Sequence, residues 1–451
     1  MKSIIKNNRL KKGTVLVIMA IVLQSCFSAK EYTRPTVTET ENLYRTENLQ
    51  TDSISLASVS WKNLFTDLYL QQYIAEGLQN NMDVRIAIQQ MIAAEAYAKQ
   101  GKAGFLPSAS IGANYTRQEF SENSQFGSIF SGGLDTYDVT ANLSWEADIW
   151  GKIKSNKKAT QAAYLQSLAG HQAVKTQLIA SIANTYYNLL ALDAQLHITK
   201  KTIETRKSGV ATIKALKDAG QVTQVAVDQN IAQYNNAKAL EIDIKTAIFK
   251  TENTLSILLG KTPQSFKRNT LNFQNITQDI ILGVPTTLLR NRPDVIAAEY
   301  GLIQSFELTN VANSSFYPSL TLTASGGLQS LQIDDLFNTN SLFTTLVGGI
   351  TQPIFNKRKL KTQKEVAIAN QETALINFKK TLLIAGNEVS NALFTYKSEV
   401  TKFKFRKKEV EALRTAESNS EELLKNGYAN YLDLLTARQS VLSAELNIID
   451  S

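Results

Sequence analysis

The sequence contains very few of the side chains on which most enzymes and metal sites depend. It has one cysteine and two histidines among 451 residues, and a single cysteine excludes a disulfide bond within the chain. Both histidines, His171 and His197, lie within helical patterns, and neither has a second ligand at a spacing typical of metal sites. Glycine-rich nucleotide loops and the motifs of serine hydrolases and zinc proteases are lacking as well. We therefore predict that the chain is no enzyme and binds no cofactor or metal.

Long apolar runs are equally scarce. After residue 25 there is no apolar stretch of about 18 residues, so no transmembrane helix is predicted. Five basic residues precede the apolar run 14–23 near the N-terminus, and this pattern indicates a secretory signal peptide over residues 1–25. The run Leu23-Gln24-Ser25-Cys26 resembles the bacterial lipobox. This predicts lipid attachment at Cys26 and a lipid-anchored N-terminal extension over 26–60. The alternative is a buried free cysteine beside an ordinary signal peptide.

Positive charge is in excess, but much of it belongs to the signal peptide. The formal net charge of +8 falls to about +3 when the five basic residues of 1–25 are removed. The basic balance therefore gives no reason to predict nucleic-acid binding.

What the sequence does contain is an internal repeat. Four segments recur in the same order at an offset of roughly 205 to 211 residues. The matching pairs are 80–87 with 291–298, 105–111 with 316–322, 147–152 with 352–357, and 219–227 with 426–434. We predict a duplicated chain with a first repeat over 61–260, a linker or equatorial region over 261–284, and a second repeat over 285–451.

Each half contains two segments with the alternation of β-strands. Apolar and polar side chains alternate in 108–116 and 136–145, and 319–325 repeats the pattern. A fourth segment, 342–351, is rich in glycine and alternates less well. Strands of about ten residues, with aromatic residues near their ends, are typical of a transmembrane β-barrel. An ordinary half-buried hairpin is the alternative.

Long proline-free stretches follow these strands. No proline occurs from Lys152 to about Ala219 or from Leu360 to Lys425, and about 65 helical residues would extend ~100 Å. Gly220 and Gly427 each follow such a helix, where a left-handed residue is expected. Packed side by side, these helices would form a column or a tube.

Four strands are too few to close a barrel by themselves. Open strand edges cannot face lipid, because their backbone N–H and C=O groups would stay unpaired. If the strands lie in a membrane, other copies of the chain must therefore complete the barrel. Three copies would supply twelve strands, but two, four or more copies also satisfy closure.

The run "PTTLLRNRPDVIAAE" at 285–299 resembles the signature that opens the second repeat of the TolC-like outer membrane efflux factors. The similarity is to their lipoprotein branch, typified by OprM and NodT, and "YTRP" (32–35), "WEADIWGK" (145–152) and "LLG" (258–260) also fit. The resemblance implies a mostly α-helical chain with membrane β-strands. It implies a trimer whose twelve-stranded transmembrane β-barrel continues into a long periplasmic α-helical barrel. Such a protein is a passive exit duct for small molecules in the outer membrane of a Gram-negative bacterium.

The resemblance also implies partners. In this family the periplasmic turns contact an adaptor protein coupled to an inner membrane pump, often of the proton-driven RND class. The predicted partners are thus two further copies of the chain, the adaptor, the pump and outer membrane lipid. The candidate adaptor contacts are Gly220, Gln221, Val222 and Thr223 in the first repeat and Gly427, Tyr428, Ala429 and Asn430 in the second.

The run Arg292-Pro293-Asp294 within the signature is predicted to be structural and not catalytic. Pro293 fixes its own φ and biases Arg292 toward extended backbone, while Asp294 can cap the helix that follows. The other residues that match the signature are Leu288, Leu289, Val295, Ala298 and Glu299.

A gate near the turns is a further property that the resemblance implies, because relatives often hold the duct shut with charge and tyrosine contacts. Asp433 keeps the aspartate expected after the second glycine, whereas the first repeat has Ala226 at this place and Asp228 just beyond it. The tyrosine expected before the second glycine is Leu424. The candidate gate residues are Asp218, Asp228, Glu421 and Asp433. A solvated helix face is the alternative for this charged region.

The last helix is expected to be short. It starts near Tyr431 and stops at Ser451, about fifteen residues earlier than the counterpart over 224–259.

Two other functions stay open on the sequence alone. One is a duct for type I protein secretion, and the other is a lipid-anchored periplasmic scaffold that conducts nothing. Four strands with membrane-type alternation disfavour the scaffold.

Overall fold

The computed structural model describes residues 29–35, 59–127, 133–274 and 291–451. The predicted signal peptide, Cys26 and the first part of the signature, 285–290, lie outside these residues. Two similar series of elements run along the chain, and the predicted internal duplication is confirmed. The helices are α1 Trp61–Leu64, α2 Leu68–Asn80, α3 Met82–Ala103, α4 Lys152–Asp218, α5 Gln224–Leu258, α6 Pro293–Ser314, α7 Lys359–Lys425 and α8 Tyr431–Ile449. The strands are β1 Ser108–Gln118, β2 Leu134–Ala147, β3 Ser319–Ser330 and β4 Leu342–Thr351.

Three antiparallel pairings join the strands into one sheet in the order β1-β2-β3-β4. Opposed residues share a face, and Ala141 of β2 lies opposite Ile111 of β1 and Gly326 of β3. In the next row, Asn142 lies opposite Ser110 and Ser325. The sheet therefore has an apolar and a polar face, as the alternation predicts, and the weakly alternating fourth strand pairs along its full length.

Every strand meets a helix at the same end of the sheet. α3 and α6 end shortly before β1 and β3 begin, and α4 and α7 begin shortly after β2 and β4 end. Because neighbouring strands are antiparallel, these four connections lie together. The ends of β1 and β3 that lead into the two hairpin connections lie at the opposite end of the sheet.

α4 and α7 confirm the long proline-free helices that the sequence predicts. Each has 67 residues, and a helix rises about 1.5 Å per residue. The turn that ends each of them is described below. None of the helices in the described part of the chain combines the length and hydropathy needed to cross a membrane.

The described residues form two compact units, and each is described by itself. The first contains residues 29–35, 90–127, 133–168 and 297–379, including the sheet. Near the start of α4, the Trp150 ring stacks on Tyr317 at a centroid distance of 4.9 Å. The indole Nε1 of Trp150 donates to the Pro318 carbonyl at 2.7 Å. These contacts fix the connection after β2 against the start of β3.

The segment 29–35 lies against α6 in the same unit. The Asn310 Nδ2 donates to the Lys30 carbonyl at 3.0 Å, and the Arg34 guanidinium pairs with Glu299 at 2.9 Å. Burial raises the pKa of Tyr32 to about 12, and the Glu299 carboxylate adds to this effect. Glu299, part of the signature, therefore holds the segment that follows the predicted lipid anchor.

The second unit contains residues 59–89, 169–274, 291–296 and 380–451. Its core is built around Tyr186 of α4, whose hydroxyl donates to the Asp67 carboxylate at 2.8 Å. Asp67 also caps α2 and accepts bonds from the Asn269 and Gln274 amides. Burial alone would raise the pKa of Asp67, but these hydrogen bonds outweigh it and the pKa is lowered. Asp67 thereby joins α2, α4 and the 269–274 segment.

Candidate functional site

The two 67-residue helices end in the same kind of turn. We refer to Gly220–Thr223 as the first turn and to Gly427–Asn430 as the second turn. The φ angle is +75° at Gly220 and +76° at Gly427, so the left-handed conformation that the sequence predicts is confirmed. In each turn the N–H after the glycine donates to a carbonyl five residues earlier, at 2.9 Å in both. Both turns are therefore Schellman motifs.

The turns expose several side chains that could contact another protein. Tyr428 of the second turn is 83% exposed. Val225 and Leu432, at the starts of α5 and α8, are also exposed. Val222 and Ala429 are half-buried, and Val222 packs against an apolar cluster described below. Large apolar side chains on an otherwise polar turn are typical of contact surfaces.

The helices that leave the two turns begin differently. Asn430 caps α8 by accepting from the Asp433 N–H at 3.1 Å, and the Asp433 carboxylate accepts from the Asn430 N–H at 3.3 Å. This reciprocal arrangement is a capping box. Thr223 is the N-cap of α5 but makes no side-chain cap hydrogen bond, and Ala226 stands where Asp433 stands in the second repeat. Only the second turn leads into a fully capped helix.

An apolar cluster joins the two turns. Its buried members are Ile213 of α4, Val227 of α5 and Tyr431 of α8. The half-buried side chains that pack against it are Leu216, Val222, Ala226, Ile231, Leu424 and Leu435. Ala226 and Leu424, which replace polar residues expected from the resemblance, therefore contribute to apolar packing.

Two polar bridges cross between the repeats beside this cluster. The Tyr431 hydroxyl of α8 donates to the Asn230 Oδ1 of α5. The Arg206 guanidinium of α4 donates to the Gln233 carbonyl and to the Gln439 Oε1, the latter at 2.7 Å. Arg206 is 6% exposed, and its burial lowers its pKa from the usual arginine value. Its acceptors are neutral, so the guanidinium is hydrogen-bonded but has no carboxylate partner among the described residues.

Carboxylates surround a second arginine within the hairpin of α7 and α8. Arg438 of α8 pairs with Glu417 at 3.4 Å and with Glu421 at 3.2 Å, both on α7. Glu421 also pairs with Lys425 at 3.0 Å. The hydrogen bond from Lys425 and the nearby Arg438 charge lower the pKa of Glu421. The two Arg438 pairs link α7 and α8 of one repeat, whereas the Glu421–Lys425 pair lies within α7.

The predicted gate residues do not meet in one place. Asp218 lies beside its neighbour Lys217, and Asp228 accepts from Gln224 at 2.9 Å within α5. Glu421 belongs to the Arg438 pairs, and Asp433 belongs to the capping box. Each carboxylate thus has a local partner, and a gating role for any of them stays a prediction.

The structure also brings together four residues that the sequence did not single out: Arg206, Asn230, Tyr431 and Arg438. Their contacts join positions far apart in the chain, as in Tyr431 with Asn230. Local patterning carries no signal for such pairs. The match of 219–227 with 426–434 was the one available signal, since it places the two helix starts in corresponding positions.

The signature residues lie at the start of α6. Pro293 is the first helical residue, and Asp294 accepts from the Val295 N–H at 2.9 Å in the first turn. Arg292 donates twice to Asp294, at 3.0 and 2.6 Å, and once to Glu388 of α7 at 2.8 Å. Burial alone would raise the pKa of Asp294, but the hydrogen bond and the charge of Arg292 outweigh it, so the pKa is lowered. Asp294 thus acts within the first turn and not as the N-cap residue itself.

Metal ligands are not grouped in the part of the chain that the structure describes. Within it, no cluster of three or more His, Cys, Asp or Glu side chains could hold a metal ion. The candidate site is therefore a surface built from two helical turns.

Comparisons with known proteins match nearly the whole chain. The sequence profile of the family described as "Outer membrane efflux protein" matches residues 73–261 and 284–451. The "Cation efflux system protein CusC" of Escherichia coli is 24% identical over 96% of this chain and 93% of its own length. The "Outer membrane protein OprJ" of Pseudomonas aeruginosa is 26% identical over 97% and 92%. The CmeC outer membrane channel of Campylobacter jejuni has a similar fold, with a TM-score of 0.85 at 23% identity over 94% and 91%.

Proposed function

Because the chain belongs to the outer membrane efflux protein family, we propose that three copies of it form one passive exit duct. The chain is the outer membrane channel component of a tripartite efflux system. The number of copies and the contacts with the other components form the proposal.

The four-stranded sheet is the observation that carries this proposal. β1 and β4 are its edges, and within the described residues neither has a second strand partner. Leu346 and Ile350 on the apolar face of β4 are 72% and 75% exposed, which suits contact with lipid. Open edges cannot remain unpaired in lipid, so β4 of one copy would pair with β1 of the next. Three copies give twelve strands, an even number within the usual range.

The two turns are the proposed contact with a periplasmic adaptor. Both turns expose most of their residues, and Tyr428 of the second turn supplies a large aromatic side chain. Aromatic side chains are enriched in protein interfaces. The adaptor would couple the duct to an inner membrane pump of the RND class, while Cys26 would carry the lipid that anchors the chain to the outer membrane.

The proposed cargo is small solutes. CusC is named as part of a cation efflux system, and this favours small-solute efflux over protein secretion. The duct itself would be passive and would leave selection of the cargo to the pump. The signature would hold the start of α6 against α7 through Arg292, Asp294 and Glu388.

The experiment that tests the proposal combines mass with conductance. The detergent-extracted protein is expected to have the mass of three chains, to appear as a hollow three-fold particle by electron microscopy, and to conduct ions in planar bilayers. A monomeric mass without conductance would leave the non-conducting scaffold. A conducting trimer that restores protein secretion but not small-solute export would support the secretion duct instead.

Two neighbouring substitutions in β4 sharpen this test. Leu346→Arg places a charge on the apolar face, where it costs about 2–4 kcal/mol at the bilayer midplane, and we expect it to abolish membrane insertion. Thr345→Arg is the matched control, because Thr345 lies on the polar face opposite Ser325. We expect it to leave the trimeric mass intact. Equal loss of insertion in both variants would contradict the assignment of the two faces.

A further inference from the structure

An apolar and a cationic group of side chains follow one another where β4 leads into α7. Ile354 and Phe355 are 78% and 97% exposed. The next residues, 356–364, contain five basic residues and no acidic one. Among these cations, Lys357, Lys359 and Lys361 are exposed and form no ion pair within the described part of the chain, whereas Arg358 pairs with Glu365 at 3.0 Å. We refer to Ile354, Phe355, Lys357, Lys359 and Lys361 as the junction surface.

The backbone at this point is unusual. Lys357 and Arg358 have φ angles of 53° and 66°, and they are the non-glycine residues with positive φ among those described. Glycine would adopt this conformation at lower cost. The turn alone therefore does not explain why lysine and arginine, and not glycine, occupy these two positions.

The first repeat has the same order of side chains at the corresponding place. Ile149 is 56% exposed after β2, and Lys154 and Lys157 follow in the first turns of α4. These two lysines form no ion pair among the described residues, while Lys152 pairs with Glu146 at 2.9 Å. The combination of an exposed apolar residue with unpaired cations thus occurs in both halves of the duplicated chain.

The position of the junction surface indicates what it faces. All strand-to-helix connections lie at one end of the sheet, which in the duct proposed above is the periplasmic end, and the inference rests on that proposed function. Ile354 and Phe355 follow shortly after β4 in the chain, and the exposed apolar face of β4 carries Leu346 and Ile350. Lys364 lies over the Phe316 ring at 5.5 Å in the same region. Aromatic residues combined with cations are typical of the membrane interface.

We propose that the junction surface binds anionic phospholipid headgroups of the periplasmic leaflet of the outer membrane. Ile354 and Phe355 enter the acyl region, and the three lysine ammonium groups contact the lipid phosphates. Clusters of lysine beside a membrane attract anionic lipids, whereas lysine is depleted from protein interfaces. This contrast favours lipid over a second copy of the chain or a protein partner.

The test measures lipid binding to the full-length, detergent-purified protein by native mass spectrometry. Phosphatidylglycerol and phosphatidylcholine of identical acyl chains are the two probes. We expect the wild-type protein to bind phosphatidylglycerol about tenfold more tightly, since each lysine near the surface contributes to anionic lipid binding. The combined variant Lys357→Gln, Lys359→Gln and Lys361→Gln should lose this preference and keep its binding of phosphatidylcholine.

The matched control has the same change of charge further along the same helix. Lys404→Gln, Lys407→Gln and Lys408→Gln also remove three exposed lysines of α7 that form no ion pair among the described residues. This control should keep the wild-type preference. Equal loss in the two triple variants would overturn the proposal, because it would reflect net charge and not the junction surface. Equal affinity of the wild-type protein for both lipids would overturn it as well.

A further variant separates the apolar from the cationic contribution. Phe355→Ser should weaken binding of both lipids by a similar factor and leave their ratio unchanged. If it or the lysine variant instead lowers the assembled mass while lipid binding persists, the surface is an interface between copies and the proposal is wrong. The assembled mass and conductance of the wild-type protein are measured in the same preparation, so failure of lipid binding is distinguished from failure of the trimeric duct.

Discussion

The first and second turns have the same backbone but different helix starts after them. Both follow a 67-residue helix and both end it with a left-handed glycine. The second turn then leads into a capping box formed by Asn430 and Asp433, whereas Thr223 and Ala226 provide no side-chain cap. The two repeats therefore share the left-handed glycine that reverses the chain, but they differ in the side-chain cap at the start of the next helix. The first turn has fewer restraints and should open more readily.

Substitution of the two turn glycines should have the largest effect on stability, and it tests the left-handed backbone that both turns share. An added Cβ meets no atom within 4 Å at Gly220 or Gly427, so only the left-handed backbone opposes a side chain. Gly220→Ala and Gly427→Ala should each destabilise their turn by about 1–2 kcal/mol. Amide hydrogen exchange across the turns of the full-length protein measures this. If only one of the two substitutions lowered the protection of its turn amides, the two turn backbones would not be equivalent.

Substitution of the two N-cap residues should have the next largest effect on stability, and it tests the side-chain cap that only the second turn has. Asn430→Ala removes a side-chain acceptor and should destabilise the start of α8 by about 1 kcal/mol. Thr223→Ala removes no cap hydrogen bond, and we expect a change of only a few tenths of a kcal/mol. Hydrogen exchange rates of the amides at the starts of α5 and α8 measure the effects of both substitutions. Equal losses would show that Thr223 caps α5 in solution.

Transfer of the capping box to the first turn should stabilise the start of α5, which is the opposite of removing the cap from α8. The combined change Thr223→Asn and Ala226→Asp places both members of the box at the first turn. We expect slower amide exchange at the start of α5, equivalent to an increase of about 0.5–1 kcal/mol in the free energy of local opening. Ala226→Asp alone should gain less, since the asparagine acceptor would be lacking. Because Ala226 packs against the apolar cluster, a net loss for the double variant would show that packing outweighs capping there.

The smallest effect is a pH dependence confined to the second repeat. Lys425 and Arg438 lower the pKa of Glu421, so their contribution is present above the unfolded pKa of about 4.3. It is lost as pH falls through the lower pKa of the folded state. Glu421 is partly exposed, and we expect at most a few tenths of a kcal/mol. Exchange near the second turn should rise at low pH in the wild-type protein and lose this dependence in Glu421→Gln.

Much of the fold could be predicted because its signals are local. Alternation of side chains identified the strands within a few residues, and glycine after a long proline-free stretch identified the ends of α4 and α7. Strand 342–351 was harder, since its glycines weaken the alternation. Its assignment is settled by pairing with β3, which is a tertiary contact.

The candidate site was less predictable because its contacts join distant parts of the chain. Asp433 was a gate candidate from the resemblance, yet in the structure its carboxylate closes a capping box, a role that its spacing of three from Asn430 could have indicated. The contacts of Arg206, and that of Asn230 with Tyr431, have no local signal at all, because these partners lie on other helices. A sequence specifies such contacts only through the packing that brings the helices together.

The two polar bridges between the repeats have a consequence for the influence of ionic strength. Tyr431 bonds to an amide oxygen, and Arg206 bonds to a carbonyl and an amide oxygen. Beside the two turns, the described residues therefore show no pair of opposite charges that joins the repeats. The opposite charges, Arg438 with Glu417 and Glu421, lie within one repeat. Dissolved salt screens attraction between ions far more than hydrogen bonds to neutral acceptors. A change in periplasmic salt would thus loosen the second hairpin internally, while its attachment to the first hairpin would hold.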